Sequence, residues 1–245
     1  MQTRKTKGSL YFKIIFTLAL LGLVPMFGGI GSKLGLWLPM TGFLMTVQYM
    51  SYSVIAFLLV VLLSLKSILR DWPRAVLSTL ILMIFTLSAY YLGVNQEPMD
   101  TTGLRGIHDV TTDMENPPQF ITLLKAPGRT NSFDYTEQTA ERQKAKFPWV
   151  KPLISDLSPK DAYQRALMIG QQMNWKIASD DAQNGRFEAT DYSKWYHFND
   201  DVVVRVTATD QGSRIDLRSL TRVGGSDHGL GAKRIMIFQK NFSKE

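Results

Sequence analysis

Arg205, Asp216, Arg218, Arg222, Asp227 and Arg234 are the residues whose types and spacing could do chemistry. Four guanidinium groups offer forked donors suited to a carboxylate or a phosphate. Two carboxylates close by in sequence could neutralise them, or serve as acid and base. Five of the six lie in RIDLRSLTRVGGSDHGLGAKRI, residues 214–235. There Gly224, Gly225, Gly229 and Gly231 would let backbone N–H groups approach an anion ahead of a helix. An anion-binding face, a catalytic cluster and a closed ion-pair network with Asp201 and Glu188 all fit these letters. Opposite charges on neighbouring strands commonly pair.

Other chemistry finds less material. With no cysteine, disulfides, thiolate catalysis and Cys-based metal sites are excluded. Three histidines, His108, His197 and His228, stand far apart without ligand spacing, so no metal is expected. His108–Asp109 and Asp113 read as turn formers whose side chains bond local backbone. The knot WYHF, residues 195–198, reads as a packed loop or an interfacial platform. No GxSxG, SxxK, phosphate loop or dinucleotide fingerprint occurs, so neither a nucleophile nor a cofactor is expected.

The elements that must position these residues follow from periodicity. Trp175–Ser179, Arg186–Asp191, Asp201–Thr209 and Arg214–Arg222 read as strands, the last two joined by a turn at Asp210–Gln211–Gly212. Val202, Val204, Val206, Ile215, Leu217 and Ser219 share one face. Asp201, Val203, Arg205, Asp216, Arg218, Leu220 and Arg222 share the other, with Arg186 and Glu188. Residues 158–175 predict a helix capped by Ser158 with Pro159 at its first position. Tyr163, Ala166, Leu167, Gly170 and Met173 would form its buried face. Residues 136–147 predict a surface helix. Ile235, Phe238 and Phe242 predict a closing helix capped by Ser226 or Asp227. The fold class is α+β, with an antiparallel sheet of about four strands packed on helices.

Charge is unevenly spread. Residues 1–95 hold eight Lys/Arg against Asp71 alone, so they carry the whole net charge of +7. Residues 96–245 balance, which removes the case for a nucleic-acid partner. Apolar runs at about 10–30, 43–65 and 75–94 are each long enough for a hydrocarbon core of roughly 30 Å. Three N-terminal transmembrane helices in residues 1–95 are therefore expected, followed by a soluble domain at 96–245. Arg4, Lys5 and Lys7 precede the first run, and Lys66, Arg70 and Arg74 fill the second connector. The positive-inside rule then puts the N-terminus in the cytoplasm and residues 96–245 on the far side.

IHDVTTDMENPPQF (107–120), GRFEAT (185–190), FNDDVVVRV (198–206) and DLRSLTRVGGSDHGLGAKRI (216–235) resemble, in order and spacing, the signatures of the domain of unknown function 1499 family. The resemblance runs from about Ile107 to Phe242. It departs at Thr221, where the family usually has serine, and at Gly231, where it usually has asparagine. It implies a bacterial fold unit, often behind a membrane segment, and implies no reaction. Together these readings give an expectation of a multi-pass protein of a bacterial inner membrane with a periplasmic domain. That domain would bind an anionic lipid, an envelope precursor or a partner protein without catalysis. An envelope hydrolase or transferase, or a structural subunit of a membrane complex, are the alternatives.

Overall fold

The computed structural model describes residues 27–68 and 107–244, with Thr17 and Leu80 in addition. The chain divides into two compact units: Met1–Pro98 with Lys194–His197, and Met99–Ser193 with Phe198–Glu245.

In the first unit, helix α1 spans Pro39–Ile68. The runs expected at 10–30 and 75–94 lie almost wholly outside the described residues. Among the described residues, no helix is long and apolar enough to cross a membrane. That corrects the expectation of three transmembrane helices. The described positions of α1 mix apolar side chains with Thr41, Thr46, Gln48, Tyr49 and Tyr52. The Thr46 hydroxyl donates back to the Gly42 carbonyl at 3.1 Å.

The second unit is built on six antiparallel strands rather than about four. They are β1 (Asp109–Thr111), β2 (Leu153–Ser155), β3 (Lys176–Asp181), β4 (Arg186–Tyr192), β5 (Asn199–Thr209) and β6 (Gly212–Thr221). The order is β1-β6-β5-β4-β3, and β2 also pairs with β6, flanking Ser213–Ile215 while β1 flanks Arg218–Leu220. The two additional strands, β1 and β2, are three residues each, too short to show alternation in sequence.

Three helices join the sheet in this unit: α2 (Glu137–Lys146), α3 (Pro159–Gln172) and α4 (Leu230–Phe242). Ser158 caps α3 by accepting from Asp161 N–H at 3.2 Å while its hydroxyl donates to the Asp161 carboxylate. From α3, Ala162, Tyr163, Ala166 and Ile169 are buried; from α4, Ala232, Ile235, Phe238 and Phe242. They meet Phe187, Ala189, Val202, Val204, Ile215 and Leu217 in one core. Trp175 stacks on Phe238 with centroids 5.6 Å apart. This is the period-two face expected of a half-covered strand.

Among the described residues, no helix lies over the opposite sheet face. Residues 112–135 cover it, an irregular segment whose only regular element is the 3-10 turn Leu123–Lys125. Phe120 and Leu123 from this cover pack on Val203 and Leu220. At the β1 flank, the fully buried Gln143 of α2 donates to Thr111 O at 2.6 Å and accepts from Thr111 N–H at 2.9 Å. Its side-chain oxygen also accepts from the Tyr135 hydroxyl.

Candidate functional site

The six residues singled out in the sequence do not form one site. Arg205, Asp216, Arg218 and Arg222 lie on the face beneath the cover, where strand register pairs Arg205 with Asp216 and Val203 with Arg218. Arg234 and Asp227 lie at the other face, beside α4. Alternation put the first four together; the α4 helix, not a strand, carries Arg234.

Beneath the cover, Arg218 is fully buried and takes both oxygens of Asp109, Nε to Oδ1 at 3.0 Å and Nη2 to Oδ2 at 2.7 Å. Its remaining donors reach backbone carbonyls of the cover, Pro118 O at 3.3 Å and Phe133 O at 2.6 Å. Arg222 repeats the pattern. It grips Asp201 through Nε at 2.9 Å and Nη2 at 2.8 Å, and donates to Pro127 O at 3.3 Å. Arg205 bonds Asp113 at 2.9 Å, Asp216 at 3.1 Å and Asn116 O at 3.1 Å. Arg214 joins the same two carboxylates, both at 3.0 Å. Arg186 bonds Glu188 and the Gln119 carbonyl.

Glu188 is the mirror image of these arginines. Its carboxylate accepts the backbone N–H groups of Ile121, Thr122 and Leu123 at 2.8, 3.2 and 2.8 Å. The start of the 3-10 turn, which no neighbouring backbone satisfies, thus receives one buried anion. Arginine supplies donors to the cover's carbonyls and glutamate supplies acceptors to its amides.

Arg129 of the cover pairs with Asp201 and lies over the Phe133 ring at 3.9 Å. Its Nε and Nη1, and Arg205 Nε, are sealed from solvent and meet no protein acceptor. Burial lowers the Arg129 pKa, with Asp201 opposing the shift. Burial likewise pushes the Asp109 carboxyl up, while the two Arg218 bonds pull it back. Among the groups named here, six guanidiniums (Arg129, Arg186, Arg205, Arg214, Arg218, Arg222) meet five carboxylates (Asp109, Asp113, Glu188, Asp201, Asp216).

The second cluster sits at the strand ends beneath α4. Arg234 bonds Asp191 at 2.7 Å, Asp200 at 2.6 Å and the Ser219 hydroxyl at 2.7 Å. Burial opposes its charge, but Asp200 and Asp191 outweigh that and raise its pKa. Asp227 is not an arginine partner. Its two oxygens accept the N–H groups of Gly229 at 2.7 Å and Gly231 at 2.8 Å, so it satisfies the α4 start from two residues upstream of Gly229. Gly229 itself holds a left-handed conformation at φ 79°. A Cβ at Gly231 would lie 2.6 Å from the Asp227 carboxylate, which makes glycine the residue for that close approach. Burial pushes the Asp227 carboxyl up to about 6.

Sequence reasoning missed Asp109, Asp113, Asp191, Asp200 and Arg129 as partners. Asp191 and Asp200 share strand parity with Ala189 and Val202, so their place on the helix side was readable from alternation. Asp109 and Asp113 were read as turn formers, and Asp113 does accept Asn116 N–H at 2.9 Å. Their ion pairs span 92 residues or more and leave no local signal.

Compared with known proteins, residues 109–242 match the family described as "Protein of unknown function (DUF1499)". No curated protein matches the chain.

Proposed function

Since the chain belongs to the DUF1499 family, whose description names no reaction, we propose that its domain at residues 107–244 is a non-enzymatic binding module held rigid by its charged lattice. One observation carries this reading: beneath the cover, the arginines and carboxylates named from the sequence bond one another and the cover's backbone. Each arginine of that face named in the sequence bonds both a carboxylate and a cover carbonyl, or two carboxylates. Asp109, Asp201 and Asp216 are at most 2 % exposed. Catalysis needs an acid, base or nucleophile within hydrogen-bond reach of a substrate. Here a substrate would first have to displace residues 112–135. The lattice therefore reads as a clamp, and binding belongs to the domain's outer surface.

The test is native mass spectrometry of the gently extracted full chain. Retention of an anionic lipid or a partner protein supports the reading; recovery of bare protein counts against it. An envelope location is a separate proposal, supported by the concentration of positive charge in residues 1–95. Activity of a periplasm-dependent reporter fused after Glu245 would support it, and activity in the cytoplasm would overturn it.

A further inference from the structure

With the arginines of the sheet engaged, unspent positive charge must be sought on the outside of the domain. From His228 to Lys244 the chain contains no acidic residue. Helix α4 buries Ala232, Ile235, Phe238 and Phe242 against the sheet. At 3.6 residues per turn its other side gathers Leu230, Met236, Ile237 and Lys240 within roughly 120° of arc. Lys244 follows just past the helix end. Leu230, Met236 and Ile237 are 42 %, 47 % and 36 % exposed, unusual for apolar side chains on a helix that already has a buried face. Arg165 of α3 ties down this end, donating to the Lys244 carbonyl and lying 5.2 Å from the Phe242 ring.

Apolar side chains interleaved with lysines, without a carboxylate between them, match the interface of an anionic bilayer. The apolar groups enter the headgroup boundary while the ammonium groups stay at phosphate level. Charge complementarity favours lipid over a second copy of this chain, because two such faces would oppose lysine to lysine. Residues 1–95 carry the chain's net charge of +7, the sign that such a surface attracts. We infer that the outer face of α4 docks on a bilayer surface rich in anionic phospholipid, with Leu230, Met236 and Ile237 inserted and Lys240 and Lys244 at the headgroups. This rests on the binding reading above and names its ligand and surface.

The chain has no cysteine, so one introduced thiol reports one position in the full-length protein. Ile237→Cys and, as a control on the Ala182–Asn184 turn, Gln183→Cys would each carry a polarity-sensitive fluorophore. Each is mixed with phosphatidylcholine vesicles, and with vesicles in which about a third of the lipid is phosphatidylglycerol. A label reads its own surroundings, so the signal is independent of how the rest of the chain holds lipid. The expected result is a blue shift at position 237 only, only with phosphatidylglycerol, and abolished near 1 M salt, where the screening length is about 3 Å. Neutralising Lys240 or Lys244 to Gln should weaken the response roughly fivefold each. Both are exposed, so neither change disturbs the core.

No shift, or an equal shift in both vesicle types, overturns the inference. So does a shift that appears without lipid and grows with protein concentration, which would identify a second copy. If native mass spectrometry retains a ligand while position 237 stays dark, the α4 surface is wrong and the binding reading stands. If both fail, the binding reading falls with it.

Discussion

On the helix side of the sheet, Phe187, Val202, Val204 and Leu217 meet α3 and α4 through carbon. On the other side, Glu188, Asp201, Asp216 and Arg218 meet residues 112–135 through charged side chains. The difference follows from what each cover brings. A helix satisfies its own N–H and C=O groups, so apolar side chains can seal it to a sheet without leaving polar atoms stranded. An irregular segment brings bare amides and carbonyls, and burying those without partners costs a few kcal/mol each. The sheet answers with guanidiniums aimed at carbonyls and a carboxylate aimed at amides. A small apolar cluster, Phe120 and Leu123 on Val203 and Leu220, completes the seal.

That contrast can be broken most directly by removing one member from each side. Phe238→Ala leaves a cavity beneath α4 and should cost about 3–5 kcal/mol. Arg218→Ala strands Asp109 in the interior and should cost about as much. The double replacement Arg218→Met with Asp109→Leu removes both charges and should recover part of that loss. Denaturant unfolding measures all three. If the double variant is no better than Arg218→Ala, the arginine acts chiefly through the cover's carbonyls rather than by matching Asp109.

The helix side has its own polar exception at Asp227. Its carboxyl, raised to about 6, binds a proton more tightly folded than unfolded. That contribution is full below about pH 4 and is lost as pH rises through about 6, a swing of roughly 2–3 kcal/mol. Subtracting the unfolding free energy of Asp227→Asn from that of the parent at each pH isolates it. A difference that stays flat from pH 4 to 7 would remove Asp227 as the source. The smallest effect should be local. Glu188→Gln keeps the shape but weakens the hold on three amides, so hydrogen exchange at residues 121–123 should quicken while β4–β6 amides hold. Uniform quickening would mean that cover and sheet open as one unit.

How far the letters carried differs between the same two sides. The faces of β4, β5 and β6 follow from alternation alone, and α3 follows from its cap and apolar stripe, because those signals are local. The cover gave no such signal. Glu188 meets amides 65–67 positions away, and Arg218 meets Asp109 at a separation of 109. Such bonds depend on where a loop returns, which no periodicity encodes. The strands β1 and β2 failed for brevity. Arg234 was grouped with the strand arginines because its residue type matched theirs, although α4 places it on the opposite face.

Gln143 has a consequence for how this protein keeps company with itself. A sheet can go on growing by adding another chain at any flank where hydrogen-bonding groups remain unsatisfied. At β1 the amide of Gln143 has the donor and the acceptor of one residue of a neighbouring strand, and it occupies the place where such a strand would begin. It is a counterfeit strand one residue long, fixed to a helix and incapable of recruiting a successor. The ladder is told that it has already ended. Gln143→Leu leaves the buried Thr111 N–H and C=O without partners, so it should cost the folded monomer a few kcal/mol and also appear as concentration-dependent association that the parent chain resists.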